Sequence, residues 1–512
     1  MPKGSTQKVP IQTDFDTLKA RLSELAHFSS VIALLDWDKQ VYMPKHGAEL
    51  RAATFSYLAG LLHQRFVELD ADGLLERLRH ELNQNKLDAD QTVVVREVVR
   101  TFDREKKLPQ KFVQEMAETV ARAHGFWEEA KKSGKFQIFA PHLEKIIALK
   151  KEEARLVGYK DSPYDALLDP YEPGMTAAQL EPLFADLREF LVELLKKIKK
   201  SKVRQNPKMF FGNFPLDRQR KLNELVAAKI GFNFSAGRLD ESTHPFTITI
   251  NPGDVRVTSR FNPRDVLYSI SPTLHEAGHA LYEQGLPSEH FGTPLADPVS
   301  LGIHESQSRL WENLVGLSLP FWKYFYPKLR KEFPKPFGKI SLGDFYQNIN
   351  VVKPSLIRIE ADEVTYNLHI IIRFEIEKGL IEGVINPADL PKIWNQKYKE
   401  YLGVTVPNNG VGVLQDVHWS SGLFGYFPTY TLGNLYSAQF YAAAKHVTPN
   451  LEKAMEKGDF SKLLNWLRRN IHVHGRRFSA ADLVREATGE KLKPEYYKKY
   501  LAEKYSKIYR LE

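Results

Sequence analysis

The sequence predicts a mainly α-helical chain with one small β-sheet. Apolar residues recur at three- and four-residue steps over most of the 512 residues. Alternation with a period of two is confined to one stretch, "HPFTITINPGDVRVTSRF" (244–261). No apolar run approaches the length of a bilayer crossing, so the helices are expected to bury their apolar faces against one another.

The first element is an amphipathic helix over 14–37, with Phe15, Leu18, Leu22, Leu25 and Phe28 on one face. Similar patterns run through 50–230, broken by "LDPYEPGMT" (168–176) and "RQNPKMFFGNFP" (204–215), whose Pro, Gly and Asn content reads as loop. No internal repeat or linker interrupts the chain. It is therefore read as one domain over 1–512, with an N-terminal helical subdomain to about 235 and a catalytic subdomain over 236–512. In the β stretch, Thr247–Ile250 and Val255–Thr258 flank Asn-Pro-Gly-Asp, which suits a hairpin with a type II turn. Helices are expected over 300–316, with Ile303, Leu310 and Leu314 inward, and from Pro354 to about Gly379, with Leu356, Ile359, Val364 and Leu368 inward. "SAADLVREATG" opens on a capping serine and stops at glycine, a further helix.

Composition narrows the chemistry. The 43% hydrophobic and 26% charged content is that of a globular protein, and the opening "MPKGSTQKVP" lacks the apolar region of a secretory signal, so a soluble, cytoplasmic protein is expected. With no cysteine, there are no thiolate nucleophiles or thiolate ligands, and a zinc site must use His, Asp or Glu. Absent Cys with abundant Lys and Glu is compatible with a thermophilic source. The net charge of +9 and clusters such as "KKIKKSK" (196–202) raise the idea of nucleic-acid binding. Those clusters lie beside apolar helical residues and carry no nucleic-acid motif, so they read as solvated helix faces and no nucleic-acid partner is expected.

"TLHEAGHALYEQG" (273–285) carries the sharpest signal. On a helix, residues four apart project about 40° apart, so His275 and His279 can bind one ion from one face. Random placement predicts roughly 0.04 occurrences of His-Glu-x-x-His in this chain, so chance is a poor explanation. The flanking Leu274, Ala277, Ala280 and Leu281 predict a buried helix, and Gly278 permits close approach of a neighbour. Burying two histidines and a glutamate without partners is costly, and a metal satisfies them. Glu276, beside the first histidine, can take a proton from the attacking water and pass it to the leaving amine. The third ligand is open between His304, Glu305 and Glu312 on the 300–316 helix; Glu305 leads because a Glu on a second helix is the commoner arrangement after this motif.

Six motifs, in order, resemble the signature set of the carboxypeptidase Taq family of metallocarboxypeptidases: "HPF" (244–246), "DVRVT" (254–258), "HEAGH" (275–279), "HESQ" (304–307), "IRIEAD" (357–362) and "GVLQDVHW" (412–419). "WDKQVYMP" (37–44) is similar to the family's N-terminal region. The resemblance implies a zincin-like (neurolysin-like) helical fold with a deep groove, the small sheet lying beside the metal helix and N-terminal helices roofing it. It implies a homodimer, and removal of single residues from peptide C-termini with broad side-chain tolerance and poor action at proline. The implied metal is one zinc per chain, cobalt serving as an alternative, held by His275, His279 and Glu305, with Glu276 as general base.

A carboxypeptidase must grip a free carboxylate, which suits a bidentate arginine. The family pattern points to Arg358, oriented by Asp362 one turn on; Arg256 is the rival, or else closes the groove. "TITI" or "VRVT" is expected to offer a strand edge to extended substrate, with His244 near the peptide. In "GVLQDVHWSSGLFGYFPTYTLGN" (412–434), His418 and Tyr430 are the candidate oxyanion donors, with Tyr426 in reserve. Asp416 or Gln415 is expected to steady a ligand histidine. His290, His369 and "HVHG" (472–475) are read as structural. Two rivals remain: a zincin oligopeptidase that cuts internally, and a non-catalytic basic binding protein.

Overall fold

A computed structural model describes residues 11–511; the opening decapeptide read for a signal lies outside the described residues. The architecture is mainly helical with one three-stranded sheet. Among the described residues no helix is long and apolar enough to cross a membrane.

Helix α1 (Ile11–Val41) contains the predicted 14–37 stretch, and Phe15, Leu18 and Leu22 are buried as its pattern requires. It turns at Pro44 into α2 (Ala48–Val67). The N-terminal part of α1 belongs to a cluster of its own, Phe15 to Phe102 plus Leu295, with Phe66 near the end of α2 packed against it, whereas the main core runs from Ala123 to Tyr509. The apolar packing thus divides between residues 102 and 123.

The sheet comprises β1 (Gly237–Glu241), β2 (Thr247–Asn251) and β3 (Asp254–Ser259) in the order β1-β3-β2. β2 and β3 form the expected antiparallel hairpin. Gly253 does not take the positive φ that a type II turn requires; the Asn251 side chain accepts its N–H instead. β1, unforeseen because "GRLDE" shows little alternation, pairs parallel to β3. β3 is therefore central, and β1 and β2 are the two edge strands.

The sheet lies against helix α3 (Leu267–Glu283), which carries the two histidines. Helix α4 (Leu301–Arg309) packs on α3 and continues as a π-helical turn, Leu310–Val315; Ile303, Leu310 and Leu314 are buried as expected. Contact at Gly278 is close: a Cβ there would sit 2.7 Å from Gln307 O and Ser308 Cα. The helix expected from Pro354 begins only at Tyr366 (α5, Tyr366–Glu382). Residues 351–365 are irregular apart from a short 3₁₀ turn, and Ile359, expected inward, is 61% exposed. Asp362 accepts the N–H groups of Val364 and Thr365, so the helical turn that leads into α5 starts there and not at Pro354. Helix α6 (Pro428–Val447) completes the surroundings of the site; its Gly433 lies where a Cβ would meet Glu305 Cγ at 2.6 Å.

Candidate metal centre and substrate cavity

His275 and His279 stand one turn apart on α3, and Glu305 reaches them from α4. One ligand atom from each lies within 4.8 Å of the others. Glu305 Oε2 is 3.8 Å from His275 Nε2 and 3.5 Å from His279 Nε2. Ligands about 2.0–2.2 Å from a tetrahedral zinc stand about 3.3 Å apart, so the set closes on an ion with a few tenths of an ångström of movement. The far nitrogens are already committed: His275 Nδ1 to Glu312 Oε2 at 2.8 Å, and His279 Nδ1 to the His304 carbonyl at 3.1 Å. Each imidazole therefore points Nε2 at the shared centre, as outer partners of metal ligands require.

Electrostatics agrees with this fit. Glu305 and Glu312 share one guanidinium, Arg309, and Glu276 adds a third carboxyl beside them, so the site is rich in acidic groups for a cation. Burial works against a charged His275, yet Glu312 and Glu305 push it up to about 9. Burial, His304 and His275 hold His279 down to about 3. The pocket thus favours one added positive charge but not two protonated imidazoles. Glu312 is driven down to about 2 by His275 and Arg309 against its burial.

Glu276 faces the cavity and is 7% exposed. Thr247 Oγ1, on edge strand β2, lies 2.7 Å from its Oε2 and 2.8 Å from its backbone oxygen; Oε1 has no protein donor among the described residues. Burial raises its affinity for a proton. The cavity, of about 520 Å³, is also lined by His244, Arg358 and Tyr430. A second cavity of about 420 Å³ lies between α1 (Leu22, Ala26, Ser30) and β2 (Thr249, Asn251), with Glu283 also in its lining.

Several expected partners change places. Arg358 is held by Asp416, with Nε and Nη2 3.1 and 3.0 Å from Oδ1, and by Tyr366 Oη at 3.2 Å; Asp362 instead caps the α5 start. Asp416 also takes Arg373 Nε at 2.6 Å, and the two guanidinium groups hold its carboxyl far below the usual range. Gln415 accepts from Arg358 N and Arg373 Nη2. Asp416 and Gln415 therefore brace Arg358, while Glu312 and the His304 carbonyl brace the histidines. Arg256 does not line the cavity. It pairs with Asp254 on its own strand, and its guanidinium sits 4.1 Å from the centre of the Trp37 ring, fastening α1 to the sheet. His418 stands behind Tyr430, its Nε2 3.5 Å from that hydroxyl, and burial holds it down to about 3, in the neutral form. Tyr426 packs edge-on against Tyr430, with ring centres 5.4 Å apart.

Two arginines that the sequence reading passed over line the cavity. Arg309 binds Glu305 and Glu312. Arg260 stacks on Tyr268, with no carboxylate partner among the described residues and a buried Nε that finds no acceptor. Only the three-dimensional neighbourhood reveals either, although the position of Arg309 one turn after Glu305 was a usable hint. Of the histidines read as structural, His472 is buried against Gln307 and His369 against Tyr398.

Comparison with known proteins fits this picture. The family model for the carboxypeptidase Taq (M32) metallopeptidases matches residues 17–505. Thermostable carboxypeptidase 1 of Thermus thermophilus is 46% identical over 496 residues, covering 95% of this chain and 97% of the relative. Carboxypeptidase 1 of Bacillus subtilis is 41% identical over 502 residues, covering 97% and 98%. The crystal structure of the M32 carboxypeptidase from Deinococcus radiodurans R1 superposes with a TM-score of 0.94 at 39% identity, covering 98% of this chain and all of that one.

Proposed function

The chain belongs to the carboxypeptidase Taq (M32) family of metallopeptidases and is a metallocarboxypeptidase, and we propose that it removes single residues from peptide C-termini with broad tolerance and poor action at proline. The observation that carries this reading is the junction of the His275–His279–Glu305 set with a cavity holding both Glu276 and Arg358. The ligands are His275, His279 and Glu305, and the ion is one zinc per chain, with cobalt an effective substitute. When bound, zinc supplies a Lewis acid and brings the pKa of its water to about 7.

The side chains divide the remaining work. Peptide adds as a strand along the free edge of β2 and continues upstream through the groove beneath α1. Glu276 accepts the proton of the attacking water at Oε1 while Thr247 steadies Oε2, then delivers that proton to the departing amine. Tyr430, backed by neutral His418 and by Tyr426, donates to the developing oxyanion. Arg358, pre-aimed by Asp416, grips the terminal carboxylate, and His244 borders the same cavity. A second reading gives the carboxylate to Arg260, because its charge alone among the cavity arginines has no carboxylate partner among the described residues. Lysine replacements separate the two: the true anchor raises KM for peptides with a free C-terminus, and the other does not. The protein acts in the cytoplasm as a homodimer and a single peptidase domain, with the helices before about residue 235 roofing the catalytic part.

Release of the C-terminal amino acid from an N-blocked dipeptide tests the whole. It should cease with a chelator and return with zinc; activity that survives complete metal removal contradicts the reading.

A further inference from the structure

A carboxylate can bind one ion through either or both oxygens, and nothing in glutamate itself chooses. A hydrolytic site must keep a position open beyond its three protein ligands, so a Glu305 that bound through two oxygens would crowd that position. Arg309 bears on this choice. Its Nε donates to Glu305 Oε1 at 2.6 Å, leaving Oε2 to face the two imidazoles. Its Nη1 donates to Glu312 Oε2 at 3.3 Å, the same oxygen that meets His275 Nδ1. The guanidinium is fixed in turn by the Tyr366 ring, whose centre lies 4.2 Å away, and the side chain is 12% exposed. One planar fork thus spans two carboxylates, which a lysine point charge cannot reproduce.

We propose that Arg309 is a positioning residue that restricts Glu305 to one-oxygen ligation and ties Glu305 to the Glu312–His275 pair as one rigid unit. This rests on His275, His279 and Glu305 being the metal ligands. The π-helical turn after Arg309 serves the same purpose, since it carries Glu312 to the guanidinium and to His275.

The test uses the full chain, stripped of metal and titrated with Co²⁺ alone. Binding is followed by visible absorption, and release by transfer to a chelator. Wild type should take one Co²⁺ per chain with an intense four-coordinate spectrum, and His279→Gln should lose it. Arg309→Lys should bind Co²⁺ about 10- to 100-fold more weakly. Its absorption should also weaken, as the freed Glu305 oxygen enters as a fifth ligand. If His279→Gln binds Co²⁺ as wild type does, the ligand reading fails and the proposal falls with it. If His279→Gln has lost the ion while Arg309→Lys matches wild type in affinity and spectrum, the proposal alone is overturned. Should Arg309→Lys lose its far-UV dichroism, Glu312→Gln decides: release about tenfold faster supports the tie, and an unchanged rate overturns it.

Discussion

At Glu276 the hydroxyl of Thr247 lies 2.7 Å from one carboxylate oxygen, while the other faces the cavity without a protein donor among the described residues. Glu276→Gln keeps that shape and removes the proposed base. Its kcat should fall about 10²- to 10⁴-fold, with KM and bound metal unchanged; steady-state kinetics beside metal analysis checks both halves. Arg358→Lys loses the bidentate grip but keeps the charge beside Asp416, so kcat/KM should fall about 10- to 100-fold, chiefly through KM. A value near wild type would transfer the carboxylate to Arg260. The histidine pair was legible in the sequence because four-residue spacing on a helix fixes direction. The partners of the arginines were not legible. Asp362 sits four residues after Arg358, but the helix that would have stacked them does not form there. Asp416 reaches Arg358 from 58 positions away, and no local periodicity carries such a contact.

At the scale of elements, the site is a junction of α3, α4 and β2, set by close packing. Gly278→Ala would place a methyl 2.7 Å from the α4 backbone at Gln307 and Ser308. It should cost about 1–3 kcal/mol of stability by calorimetry and weaken metal binding by moving Glu305 away from the histidines. Two buried carboxyls fix neighbouring elements. Glu172 accepts the Gly302 N–H at the start of α4, and Glu377 accepts from Tyr164, Trp419 and Gly425 beside the His418 loop. Burial raises both to about 7 from an ordinary 4.5. As pH rises from about 4.5 to 7 the unfolded chain ionises first, so the folded state holds the extra protons and stability falls across that window. For Glu172 the loss is about 3 kcal/mol by the ordinary conversion of pKa to free energy. Glu172→Gln should gain stability relative to wild type between denaturant melts at pH 4.5 and pH 8; a constant difference between the two would remove Glu172 as the cause. The hairpin, the Gly278 contact and the 300–316 helix were visible in pattern and turn residues. β1 was not, because this five-residue edge strand, held in place by pairing with β3, shows little alternation of its own.

For the whole molecule, the proposed peptide path takes in two cavities, one between α1 and β2 and one at Glu276 and Arg358. Arg256 and Trp37 join the C-terminal part of α1 to the sheet, whereas its N-terminal part packs in a separate cluster. Arg256→Ala should therefore loosen the roof and raise KM for longer peptides more than for dipeptides, read from kinetics on a length series. The mainly helical class and the metal chemistry were legible in the sequence, the first from repeated apolar spacing and the second from one five-residue motif. Where the N-terminal packing divides was not, since helices on either side of residues 102–123 share the same amphipathic pattern. The central claim is that this molecule removes residues singly from the C-terminus by metal-dependent hydrolysis. Mass spectrometry of a decapeptide over time, with zinc and with chelator, tests it most directly. A ladder shortened one residue at a time from the C-terminus, abolished by chelator and restored by zinc, is the predicted result; internal fragments, or a ladder indifferent to metal removal, would contradict it.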